Sequence, residues 1–126
     1  GSEIRTFTGH SSVVSSVAFS PDGKFALSAS GYNFFNLWEL STGTEKKQFR
    51  GHYSNVTSIA FSPDGKLALS GSYDKTLKLW EISTGSEIRT FTGHSGIVNS
   101  VAFSPDGKLA LSGSDDHTLK LWKINP

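Results

Sequence analysis

Cysteine is absent from all 126 residues, so the chain has neither a disulfide framework nor thiolate chemistry. That absence fits a reducing compartment. No charge of one sign prevails either: twelve basic and eleven acidic residues stand singly and leave a net charge of +1. The basic stripe that a nucleic-acid backbone demands is missing, which argues against that partner. No apolar run approaches the roughly 20 residues that cross a bilayer. Gly1 to Arg5 lacks the features of a secretion signal. A cytoplasmic location without membrane contact is the expectation. Helical periodicity is lacking as well. What the chain does have is 36% apolar residues with nine Phe, three Trp and three Tyr, a globular composition.

Repetition dominates what remains. Trp38, Trp80 and Trp122 are 42 residues apart, as are His10, His52 and His94. Ser-Pro-Asp-Gly recurs at 20–23, 62–65 and 104–107. Three 42-residue units, 1–42, 43–84 and 85–126, account for the whole sequence. The second and third agree at 27 of 42 positions, and the first and third agree equally well. Gly1 to Ser11 is identical to Gly85 to Ser95. Recent duplication and engineering both fit such similarity.

Each unit reads as short strands between turns. In the second, strands are expected at Val56 to Phe61, Lys66 to Ser72, Thr76 to Ile82 and Glu87 to Phe91. Ser62-Pro63-Asp64-Gly65 makes a tight turn, since proline fixes one φ and glycine takes the left-handed one. The third strand is apolar on both sides, with Leu77 and Leu79 opposite Trp80 and Ile82. A sheet of that kind must be covered on both sides. Sheets packed face to face around an axis achieve this, and about 40–45 residues is the expected unit.

In this order, Gly51-His52, Ser62 to Gly65, Ser72 to Asp74 and Leu79 to Glu81 resemble the WD40 repeat, and the resemblance extends over the entire chain. The closing dipeptide departs from the family's pattern, as Trp-Glu at 38–39 and 80–81 and Trp-Lys at 122–123. The resemblance implies an all-β propeller of four-stranded antiparallel blades, three to a chain. It also implies a structural hydrogen-bond network in each blade, in which histidine, a strand serine, the turn aspartate and the indole join. The candidates are His10 and Trp38; His52, Ser70, Ser72, Asp74 and Trp80; and His94, Ser112, Ser114, Asp116 and Trp122. Ser70 and Ser72 share a strand face, so either could be the serine.

The first repeat departs most. Tyr32 stands where the others have Asp74 and Asp116, and Phe34-Phe35-Asn36 replaces Thr-Leu-Lys. That blade, without its acid, is expected to be the least stable. The repeats are also offset from the blades. Glu3 to Phe7 is a fourth-type strand without a blade, and Leu119 to Ile124 is a third-type strand without a fourth-type neighbour. Propellers use about 4–8 blades, so a three-blade arc cannot bring these ends together. An open arc would expose two apolar faces and a strand edge. The expectation is homo-oligomerisation head to tail into a closed ring, with strand 3–7 clasping the last blade of a neighbouring copy like velcro. Three copies give nine blades at about 40° each, and two give six at about 60°. The homotrimer is favoured over the homodimer because overpacked inner strands cost more than a wider channel.

Catalysis is not expected. His52, Ser72 and Asp74 lack the oxyanion hole and cleft a nucleophile needs. Each repeated histidine belongs to a separate blade without short ligand spacing, so no metal and no cofactor are implied. Lys78 and Lys120 read as solvated. Tyr32, Asn33 and Phe34 make an aromatic patch beside the turn, which reads first as drift or as packing at a subunit seam and second as a contact for a ligand or partner. Tyr53, Tyr73, Asp115 and His117 fall in loops around the turn aspartate that, by the resemblance, contribute to the face that grips partners. The expected function is an interaction scaffold whose best-supported partner is itself, with other proteins or peptides in second place. The rivals are a purely structural or engineered propeller and a sugar- or phosphopeptide-binding one.

Overall fold

The computed structural model describes residues 1–10 and 12–125. Ser11, which closes the duplicated N-terminal stretch, and Pro126 lie outside the described residues. Among the described residues eleven strands follow one another: β1 (Ser16–Phe19), β2 (Phe25–Ala29), β3 (Phe34–Glu39), β4 (Thr44–Arg50), β5 (Val56–Phe61), β6 (Leu67–Ser72), β7 (Leu77–Glu81), β8 (Glu87–Phe91), β9 (Val98–Phe103), β10 (Leu109–Ser114) and β11 (Leu119–Lys123). They form three antiparallel meanders: β1-β2-β3-β4, β5-β6-β7-β8 and the three-stranded β9-β10-β11. Among the described residues no helix is long and apolar enough to cross a membrane.

Strand positions follow from local chemistry. In the turn between β5 and β6, the Ser62 hydroxyl donates to Asp64 and accepts the Leu67 N–H, while Asp64 accepts the Lys66 N–H. Gly65 sits at φ 75°, a left-handed conformation costly for other residues. The same bonds recur at 20–25 and 104–109, which fixes where each second strand begins. The third and fourth strands slip register between Leu79 and Trp80, where Leu79 pairs with Arg89 but Trp80 with Glu87. Ile88 is the bulged residue, and Lys46 takes its place in the first sheet.

Two cores lie between the sheets. Leu27, Ala29, Phe35, Leu37 and Phe49 on the leading side of the first sheet pack against Val56, Ile59, Ala68 and Trp80 on the trailing side of the second. Leu69, Leu77, Leu79 and Phe91 meet Val98, Val101, Ala110 and Ile124 in the same way. The third strand is thus buried on both sides only where a sheet stands on each. Hydroxyls knit the inner strands across both junctions: Ser15 donates to the Val56 carbonyl and Thr57 to that of Val98.

Residues 3–7 form no ladder, because no third-type strand lies beside them. They do not fold back onto β11. Instead Phe7 meets the Trp38 ring edge-on at 5.8 Å, as Phe49 meets Trp80 at 5.9 Å. Arg5 donates to the Ser41 carbonyl just as Lys47 donates to that of Ser83. The segment therefore occupies the fourth-strand position of a sheet preceding the first.

Candidate functional site

Each blade carries a buried polar chain beneath its tryptophan. In the second, the Trp80 indole N–H donates to the Ser70 hydroxyl over 2.8 Å. The Ser70 hydroxyl lies 2.6 Å from His52 Nε2, and His52 Nδ1 lies 2.7 Å from the Asp74 carboxylate. A carboxylate can only accept, so Nδ1 carries the proton and Nε2 accepts from Ser70. Indole, hydroxyl and imidazole thus each donate to the next group, ending on the acid. The third blade repeats the series with Trp122, Ser112, His94 and Asp116 at 2.8, 2.7 and 2.8 Å.

The second strand serine has a different task. Ser72 and Ser114 donate to the Ser54 and Gly96 carbonyls and accept the N–H of Asp74 and Asp116. They brace the loop that carries the acid. Of the two serines left open by sequence, Ser70 and Ser112 join histidine to indole.

Burial alone would raise the Asp74 carboxyl, but hydrogen bonds from His52 and Thr76 outweigh it and hold the group well below the usual carboxylate range. Asp116 is held low chiefly by the Thr118 hydroxyl, against desolvation, with His94 adding to it. Both acids are therefore ionised acceptors. The serine hydroxyl, placed between imidazole and indole, has both of its bonds inside the protein. The arrangement ties the loop between blades to the strand beneath it.

In the first blade the structure finds a substitute that sequence did not reveal. Tyr32 brings no acid, and the Ser30 hydroxyl takes His10 Nδ1 at 2.8 Å while Ser28 holds Nε2 and Trp38. Serine is one bond shorter in reach than aspartate, yet Ser30 directly follows β2. A second difference is costlier. Asn36 stands where Lys78 pairs with Glu87 at 2.7 Å and donates to Thr90 at 2.8 Å. Asn36 donates to Glu45, and its buried Oδ1 has no partner among the described residues.

Lys78 corrects the sequence expectation. It is buried and ion-paired, not solvated, because the β7–β8 pairing lays Glu87 and Thr90 over its ammonium. That pairing is tertiary and leaves no trace in spacing. The side chain of Lys120, its counterpart on β11, has no hydrogen bond or ion pair among the described residues.

The loop residues gather at the end of the blades that carries the histidine loops. Tyr53 is almost fully exposed, and Tyr73 and Tyr32 are partly so. Tyr32 stacks on Phe34, over which Arg50 lies at 4.4 Å. Asn33 is exposed beside them. Asp115 accepts from Asn99, a pair found only in the third blade, and His117 takes φ 74° in the same turn position as Lys75. No group of three or more His, Cys, Asp or Glu able to hold a metal occurs among the described residues.

The ends of the arc differ from its interior. Val17 is 71% exposed, whereas its counterparts Ile59 and Val101 are 5% and 8% exposed. On the opposite end Leu119 and Leu121 are 69% and 66% exposed, against 0% and 2% for Leu77 and Leu79. These are the same residue positions with and without a neighbouring sheet.

A family model described as WD domain, G-beta repeat, matches residues 1–39, 43–81 and 85–123. Among curated proteins, the small ribosomal subunit protein RACK1 of Neurospora crassa is 55% identical over 40 residues, which is 32% of this chain and 13% of that protein. The small ribosomal subunit protein RACK1z of Oryza sativa subsp. japonica is 51% identical over 43 residues, 34% and 13% of the respective chains. MST50-interacting protein 11 of Pyricularia oryzae is 52% identical over 40 residues, 32% and 13%. Each match spans about one repeat, a small part of the relative's length.

Proposed function

Since this chain belongs to the WD40 repeat family, made of propeller blades that serve as non-catalytic scaffolds, we propose that it is an interaction scaffold that closes its own ring from several copies. The observation that carries this reading is the match between its two uncovered faces. Leu111, Leu119 and Leu121 on the leading side of the third sheet are the residues that, as Leu69, Leu77 and Leu79, bury against the third blade's trailing side. Val14 and Val17 on the trailing side of the first sheet correspond to Val56 and Ile59, which bury against the first blade's leading side. One face is what the other lacks. Contact between two such unlike patches is heterologous and closes only as a ring.

Gly113 supports the same docking. A Cβ at its counterpart Gly71 would stand 2.8 Å from Val98 of the next blade, whereas at Gly113 it would meet nothing closer than 3.7 Å. The room left there suits the Val14 of a second copy. With each docked copy comes its segment 3–7, to serve as the fourth strand of its neighbour's last blade. Three copies, nine blades, are favoured over two, because a ring of six forces the inner strands closer than their side chains permit.

Once closed, the ring presents Tyr32, Asn33, Phe34, Tyr53, Tyr73, Asp115 and His117 of every copy on one surface. Contact with proteins or peptides there agrees with relatives whose names place them on the ribosomal small subunit or describe them as interacting with MST50. Native mass spectrometry at micromolar concentration is expected to show three subunit masses. Leu121→Lys, on the open face, is expected to shift the species to a folded monomer. A wild-type chain that runs as a single subunit overturns the proposal.

A further inference from the structure

Gly1 to Phe7 and Gly85 to Phe91 are the same heptapeptide, Gly-Ser-Glu-Ile-Arg-Thr-Phe. The second copy of it contains β8, paired to Leu-Lys-Leu-Trp in β7. The first forms no ladder, and Leu-Lys-Leu-Trp in β11 has its outer edge open. Identical donor and identical acceptor are both present, each without the other.

The polar groups are unmatched in the same way. Lys78 is held between Glu87 and the Thr90 hydroxyl, and Thr90 itself donates to Glu87. Near the N-terminus the Thr6 hydroxyl already donates to Glu3 at 2.6 Å, so that half of the arrangement is formed without its lysine. Lys120 is the lysine without its acid. The two halves cannot meet within one chain, since Phe7 and Arg5 fasten the segment to Trp38 and Ser41 of the first blade, at the other end of the arc. The bulged residue matches too: Ile4 corresponds to Ile88, and both are exposed.

Resting on the ring proposed above, we infer that the seam between copies is an antiparallel strand exchange locked by one ion pair, in which Lys120 of one copy is gripped by Glu3 and Thr6 of the next. The register follows from β7–β8: Leu119 faces Phe7, Lys120 faces Thr6, Leu121 faces Arg5 and, past the bulge at Ile4, Trp122 faces Glu3. Neighbouring strands cover the pair as they cover Lys78. It therefore selects a second copy of this chain over other strands that could add to the edge, because a strand without an acid in that place leaves a lysine desolvated and unpaired.

Charge reversal tests this in the full-length chain. Lys120→Glu and Glu3→Lys each place like charges at the seam and are expected to weaken assembly on the order of a hundredfold, read as a shift in the concentration at which native mass spectrometry shows the ring. The double variant Glu3→Lys/Lys120→Glu is expected to recover assembly, which separates a lost pair from a lost fold. The mispaired double Glu3→Lys/Lys123→Glu is expected not to. If the wild type forms a ring and the single variants assemble as well as it does, the lock is wrong and the ring stands. If the wild type is monomeric, ring and lock fall together.

Discussion

At the scale of single residues, the blade is organised by a few polar side chains that have no water to turn to. Asp74 ends the donor series from Trp80 through Ser70 and His52, and it also caps the turn by accepting the N–H and hydroxyl of Thr76. Asp74→Asn replaces an anionic acceptor by a neutral amide and sets one of its donors against another, so a loss of about 1–3 kcal/mol in urea unfolding is expected. Acid should act on the same groups. Asp74 and Asp116 titrate lower in the folded chain than in the unfolded one. Their stabilisation is therefore complete above the unfolded value of about 4 and is lost as pH falls from there toward the folded value. The urea midpoint should drop below pH 4, and drop less in the Asp74→Asn variant. Serine in place of aspartate at His10 shows how one blade does without the acid, and Asn36 shows the cost, a buried carbonyl oxygen without a partner among the described residues.

At the scale of elements, each sheet depends on its connection to the next. The link from β4 to β5 passes over the face of Trp80 so closely that a Cβ at Gly51 would lie 2.9 Å from the ring. Glycine before the histidine is thus a packing requirement, and it sets His52 beneath the loop where Ser70 can reach it. Gly51→Ala is expected to cost about 1–3 kcal/mol in thermal or chemical unfolding, because either the ring or the link must move in a close-packed core. Strand limits in the second repeat lie where alternation and turn chemistry put them, to within a residue: Val56–Phe61 and Glu87–Phe91 as expected, Leu67–Ser72 and Leu77–Glu81 slightly shorter. Residues 3–7 share a sequence with a strand but form no ladder. Backbone pairing requires a second backbone, and β propensity alone does not supply one.

At the scale of the whole molecule, the arc has a head and a tail of matching chemistry. Repetition makes them so: any face that packs well inside a repeat array packs equally well on the end of another array. The charge-reversed chains also report the ring's parity. An equimolar mixture of the Glu3→Lys and Lys120→Glu variants places opposite charges at every seam only when copies alternate, which an even number allows. A three-copy ring must keep one like-charged seam. The mixture is therefore expected to assemble less well than the Glu3→Lys/Lys120→Glu chain. Equal assembly, measured by native mass spectrometry, would favour the two-copy ring.

The 42-residue period, the Ser-Pro-Asp-Gly turns and the doubly apolar third strand determined by themselves that the chain is a row of antiparallel sheets stacked face to face. These are local signals, carried by residues a few positions apart. Only the tertiary structure decided which serine serves histidine, that Ser30 replaces an acid, that Lys78 is buried in an ion pair, and that the N-terminal segment lies against the first blade. Each of those depends on residues far apart in sequence approaching within hydrogen-bond or packing distance, and a repeat pattern records such approaches only where every copy makes them alike.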